Sequence, residues 1–188
     1  MDRAPGRGTQ ARARVRGAPP DLRQDVTVTT TNSLPARSLI VAQALADAGV
    51  EGEVVELPDS ARTAAEAAAA LGCQVGQIAN SLVFWADGTP LLVMTSGRHR
   101  VDTTALARRL GRTTLERATP EQVRLATGQA IGGVAPVGHP TPLETVVDES
   151  LAEYARVWAA GGTPHTVFPT TFDELVRLTG GSVHPVTS

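Results

Sequence analysis

The sequence predicts a mixed α/β fold, and three observations carry that prediction. Helical and strand-like patterns alternate from about residue 33 to residue 181. Two apolar runs, Asn80 to Trp85 and Pro90 to Thr95, are joined by Ala86-Asp87-Gly88-Thr89, which reads as a hairpin and makes part of the sheet antiparallel. Three capping signatures, Thr63 with Glu66, Thr119 with Gln122 and Thr171 with Glu174, mark helix starts.

The first helix is expected from Ser33–Pro35 to Ala48, stopped by Gly49, with Leu34, Val41, Leu45 and Ala48 as its core stripe. Glu53 to Leu57 reads as a short strand. The Thr63 helix carries a run of alanines and ends at Gly72. After the hairpin, Asp102 caps a helix to Leu110, and Thr113 to Glu116 reads as a strand. The helix begun at Thr119-Pro120 ends at Gly128. Glu144 to Asp148 reads as a strand, Glu149 to Ala160 as a helix, and Pro164 to Phe168 as a strand. The last helix, begun at Thr171, ends at Gly180.

Composition narrows the chemistry. An apolar fraction of 41% suits a globular core. No apolar run approaches the roughly 20 residues of a membrane span, and no secretory leader pattern is visible, so a cytoplasmic protein without a membrane partner is expected. The single cysteine, Cys73, has no partner within the chain. All 17 basic residues are arginine. Schiff-base chemistry, a Walker lysine and a lysine general base are thereby excluded, and arginine cannot serve as a base.

Net charge is −2, unevenly spread. Residues 1–30 are rich in Arg, Gly and Pro and are expected to be a disordered extension. Residues 31–182 form the expected domain, and 183–188 a tail. Within the domain, residues 98–124 hold seven arginines against three acids, either a polyanion footprint or a solvated helix face.

No G-x-S-x-G elbow or H-E-x-x-H motif is present, and His99, His139, His165 and His184 have no metal-ligand spacing, so neither a metal nor another cofactor is expected. What remains is a site built from hydrogen-bond donors. Gly128 to His139 holds four glycines and Pro136, and such a loop either makes a tight connection or turns its amides toward a ligand. Asn80 is polar in an apolar strand, on one face with Leu82 and Phe84. If buried, it needs a partner, either a neighbouring backbone group or a ligand. Ser81 points the other way. His139 is either a ligand contact or a surface histidine. Asp148 either starts the following helix or lines a site.

In order along the chain, several pieces together resemble the YbaK/prolyl-tRNA-editing domain family. They are Gly72-Cys73, Gln77 to Phe84, the hairpin, Ser96 to Asp102, Thr127-Gly128 and Gly132 to Gly138. The resemblance covers roughly residues 34–181. It implies a single YbaK-like domain with a mixed, largely antiparallel, barrel-like sheet surrounded by helices. It also implies a trans-acting aminoacyl-tRNA deacylase that hydrolyses the ester of mischarged tRNA, without metal or covalent intermediate, for a small amino acid on a proline-type tRNA. On that resemblance Asn80, Gly132 and Gly133 are the expected catalytic residues. Ser81, Val134, Ala135, Pro136, Gly138, His139 and Asp148 are the expected substrate contacts, with Arg98 and Arg100 on the tRNA. The implied partners are the acceptor end of aminoacyl-tRNA and an aminoacyl-tRNA synthetase. Many family members carry a lysine where this chain has Asn80. That departure keeps open a second reading, a module that binds aminoacyl-tRNA or an amino-acid-like ligand without turnover, and a third, a protein-interaction domain.

Overall fold

The computed structural model describes residues 34–188. The extension expected over 1–30 and the helix start at Ser33 lie outside the described residues. Five helices and an eight-stranded mixed sheet follow in the order α1 (Ala36–Asp47), β1 (Val55–Glu56), α2 (Ala64–Leu71), β2 (Ile78–Ala86), β3 (Thr89–Ser96), α3 (Thr103–Arg109), β4 (Leu115–Arg117), α4 (Pro120–Thr127), β5 (Glu144–Asp148), β6 (Val157–Ala160), β7 (Thr166–Thr170), α5 (Phe172–Thr179) and β8 (Ser182–His184). Short 3₁₀ turns precede β2 and follow β5.

Local chemistry accounts for most boundaries. Thr63, Thr119 and Thr171 each accept the amide of the residue three positions on, and the Glu or Gln there bonds back to the cap. Gly72, Gly128 and Gly180 end the same helices in the left-handed conformation. In the hairpin, Asp87 and Gly88 both take positive φ, the tight turn that matches strand twist. The Asp87 carboxylate also accepts the amides of Thr113 and Thr114, tying the turn to the start of β4.

The sheet runs β1-β7-β6-β2-β3-β5-β8, with β4 beside β2. β2 pairs antiparallel with β3, while β2–β6, β3–β5 and β5–β8 are parallel. One face packs against α1, α4 and α5 through Val41, Leu45, Val123, Leu175 and Phe168. The other packs α3 through Leu106 onto Phe84, Leu91, Val93 and Val146.

Two segments differ from the sequence expectation. The helix expected over Glu149 to Ala160 is a 3₁₀ turn, Glu149–Glu153, followed by strand β6. Val157–Ala160 is helix-compatible locally, but it finds Ile78 and Ala79 of β2 on one side and β7 on the other. Tertiary pairing overrides propensity there. Near the C-terminus, Ser182–His184 adds β8 to the sheet, and Val186 is fully buried against the α3 side.

One consequence of the topology positions the site. On its second edge β2 pairs with β6 only at Ile78 and Ala79 and with β4 only from Phe84. Asn80, Ser81 and Leu82 therefore have β3 on one side and no strand on the other. The sheet splits there, and the split opens a cleft.

Candidate functional site

The cleft has a cavity volume of about 50 Å³ and opens to solvent. Its floor is the start of β2, Ile78 to Ser81, with Trp158 to Ala160 of β6. The N-terminal turn of α2 forms one wall, and Gly132 and Val134 with the Thr163–Pro164 turn form the other.

Asn80 lines this cleft half-buried, and its side-chain amide engages no other described group. No neighbouring backbone group among the described residues accepts from it or donates to it, and its half-exposure leaves it open to solvent. Ser81 also lines the cleft, but its hydroxyl lies 3.2 Å from the Met94 sulfur.

The glycine loop divides its amides between two duties. Gly133 N–H donates to the Ala130 carbonyl at 3.1 Å, and Ala135 N–H donates to Gln129 Oε1 at 2.6 Å. The Gly132 and Val134 amides have no protein acceptor among the described residues, and these two residues line the cleft. Gly132 takes φ +89°, which favours glycine. At Gly133 a Cβ would collide with the Thr163 backbone and lie 2.8 Å from the Pro164 nitrogen, so the loop and the 163–164 turn touch main chain to main chain. That turn is itself braced: Thr166 Oγ1 sits 2.9 Å from both the Ser38 and the Thr163 hydroxyls.

Two side chains hold the loop from behind. Gln129, 3% exposed, accepts from Ala135 N–H and donates from Nε2 to the Val137 carbonyl. His139 donates from Nε2 to the Ala135 carbonyl at 2.8 Å. Burial of the imidazole pushes its pKa below the ordinary histidine value, against the opposing pull of that carbonyl, so the ring is neutral near pH 7. His139 is here a brace of the loop. Ala135 and Pro136 are buried beneath it, and Gly138 packs on Ile40 and Val41 of α1.

The remaining sequence candidates gather elsewhere. Asp148 is 1% exposed, and its carboxylate accepts from Ser96 N–H at 3.0 Å, His99 Nδ1 at 2.9 Å, the Thr95 hydroxyl and Ser150 N–H. It caps the turn after β5 and locks it to the end of β3. Arg98 pairs with Glu153 and lies 5.7 Å over the Tyr154 ring. Arg100 is exposed. None of these three lines the cleft.

Arg62, Trp158, Thr163 and Thr166 do line it, and none stands out in the sequence. Arg62 is the only charged residue in the lining. Its backbone N–H and that of Thr63 donate to Glu66, which with the nearby Arg62 charge holds the Glu66 carboxyl below its usual range. Among the described residues no acid and no histidine lines the cleft, and no group of His, Cys, Asp and Glu could hold a metal. Cys73 lies outside it, and desolvation raises its thiol pKa, which disfavours a thiolate. Among the described residues, the lining thus brings together one carboxamide, two residues whose amides have no protein acceptor, and one arginine.

Known proteins share this architecture. The chain is 30% identical over 134 residues to the uncharacterised protein YwhH of Bacillus subtilis strain 168, covering 71% of this chain and 85% of that one. It is 37% identical over 86 residues to a proline–tRNA ligase of Nitratidesulfovibrio vulgaris strain DP4, which covers 45% of this chain but only 15% of the ligase. A crystal structure described as a candidate trans-editing enzyme for prolyl tRNA synthetase superposes with a TM-score of 0.78 at 48% identity, over 83% of this chain and 99% of that one. No helix among the described residues is long and apolar enough to cross a membrane. Residues 58–178, which hold the α2 wall, the β2 floor and the glycine loop, match the aminoacyl-tRNA editing domain model, and the chain therefore belongs to that family, the YbaK family.

Proposed function

We propose that the protein is a trans-acting aminoacyl-tRNA deacylase that hydrolyses the ester of tRNA carrying a wrong small amino acid, on a proline-type tRNA. The observation that carries this reading is one cleft lined by Asn80, whose carboxamide has no partner among the described residues, by Gly132 and Val134, whose amides have no acceptor there either, and, as the only charged residue among those described, by Arg62. An aminoacyl ester is already activated, so positioning and stabilisation of the carbonyl oxygen contribute more than a strong base. The amides receive the developing oxyanion, and Asn80 orients the ester or the terminal ribose. Water attacks the carbonyl carbon, the bond to the ribose oxygen breaks, the ribose oxygen leaves with a proton from that water, and the amino acid departs with a free carboxyl group. Ser81 and Val134 contact the substrate from the floor and wall. Gly133, Ala135, Pro136, Gly138 and His139 contribute by holding the loop. Arg62 supplies the positive charge that a lysine at position 80 would supply.

Deacylation of a panel of mischarged tRNAs tests this. Asn80→Ala is expected to slow ester hydrolysis by about a hundredfold, the usual effect of losing one such donor. Unchanged rates in that variant would remove Asn80 from the reaction.

A second reading, a module that binds aminoacyl-tRNA without turnover, is favoured by one observation: no titratable base lines the cleft. Tight binding of a non-hydrolysable aminoacyl-adenosine with no deacylation of any charged tRNA would establish it over the first.

A further inference from the structure

Beside the cleft lies a second, more open pocket. It is lined by Arg37 from α1, Arg124 and Gly128 from α4 and its cap, Gln129-Ala130, and Gly162 to Pro164. Two arginines and no acid line it. Thr163 and Pro164 line both the pocket and the cleft, so a ridge two residues wide separates them. The base of the glycine loop forms its other side.

We infer that this Arg37–Arg124 pocket holds a backbone phosphate of the RNA strand whose 3′ end enters the cleft. This rests on the aminoacyl-tRNA reading and adds to it the surface that receives the polynucleotide. Three observations support it. The cleft itself is uncharged apart from Arg62, so it suits the neutral ester and nucleoside and leaves phosphate binding to its surroundings. Arg37 and Arg124 both line the pocket, and a guanidinium offers a planar donor fork that matches a phosphate. Of the two arginines expected on the tRNA, Arg98 is engaged by Glu153 and Tyr154, and neither it nor Arg100 lines the cleft or this pocket.

Arg37 also has a structural role to be separated from this one. Its Nη1 lies 3.2 Å from where a Gly128 Cβ would stand, at the C-terminal end of α4, where a cation favours the helix dipole. That role affects stability. It does not create a salt-dependent affinity for RNA.

The experiment uses two non-hydrolysable probes with the full chain. One is an RNA tetranucleotide ACCA carrying glycine, alanine, serine or proline through a 3′ amide. The other is adenosine alone with the same amides. Wild type is expected to bind the tetranucleotide more tightly than the nucleoside, with affinity falling as salt rises. Arg37→Ala/Arg124→Ala should weaken tetranucleotide binding by about tenfold at low salt and flatten the log–log salt slope by about 0.7 per phosphate no longer neutralised. It should leave the nucleoside probe unchanged. Arg37→Lys/Arg124→Lys, which keeps both charges, should restore most of the slope. A double alanine variant with wild-type slope overturns the inference. So does equal weakening of both probes, which would mean the arginines act through the fold. Equal affinity of wild type for the two probes overturns it while leaving the deacylase reading intact. If wild type binds neither probe, the aminoacyl-tRNA reading itself falls, and this inference with it.

Discussion

Gly133 has no room for a side chain, because its position faces the main chain of Thr163 and Pro164. Gly133→Ala must push the two segments apart. We expect a destabilisation of about 1–3 kcal/mol, read as a lower denaturant midpoint, together with lost activity. Lost activity in that variant reports the wall of the cleft, not the donor. Asn80→Ala removes a half-buried side chain and keeps the backbone, so it tests the chemistry more directly. His139 makes a prediction in pH. Its folded pKa is lowered by burial, so the neutral ring carries no penalty above its unfolded value of about 6.5. As pH falls below that value the unfolded chain takes up the proton first. Stability is then lost progressively until the folded pKa is reached. The melting temperature of wild type should therefore fall more between pH 8 and pH 5 than that of His139→Gln, whose amide can still donate to Ala135. Parallel curves would remove His139 as the source. At this scale the sequence showed which residues were unusual but not what they touched. Asn80 and His139 each stood between two roles. The structure adds the Ala135 carbonyl as the partner of His139 and a place in the cleft lining for Asn80.

Helix boundaries were legible because capping is local. Thr63, Glu66 and Gly72 determine where α2 begins and ends within ten residues of chain. Thr63→Ala should cost about 1 kcal/mol. It should also loosen the turn that presents Arg62 to the cleft, and so weaken binding of an aminoacyl-adenosine analogue. Thermal unfolding measures the first effect. A lower melting temperature with unchanged analogue binding would contradict the link. The hairpin was legible for the same reason, from Asp87-Gly88 and the alternation around it. β6 was not. Val157–Ala160 carries no strand signal of its own strength, and its partners Ile78 and Ala79 lie far earlier in the chain. Without β6 the cleft has half a floor, so Trp158 could not be recognised as a lining residue before the pairing was seen. β8 escaped for a similar reason: three residues gain their structure only from Val146 to Asp148.

The molecule as a whole packs one sheet between two unequal apolar layers, and its last residues close the smaller layer. Val186 is fully buried beside Leu106 and Val146, and its carbonyl accepts the Asp102 amide. Removing residues 182–188 strips β8 from β5 and uncovers that layer. The truncated chain should melt well below the full chain and tend to aggregate, since apolar surface and a strand edge are exposed together. A truncation with unchanged melting temperature would show that β8 is dispensable. By itself the sequence determined the capped helices α2, α3, α4 and α5, the central hairpin, the mixed α/β class and the family resemblance, because each is written in neighbouring residues or in their order. Only the tertiary structure decided that the sheet splits beside Asn80, that the Gly133 and Ala135 amides bond within the glycine loop, and that Arg37 and Arg124 line one pocket at the loop's base. Those facts depend on packing between segments far apart in the chain, and no local pattern of residues encodes which distant main chain will come to rest against them.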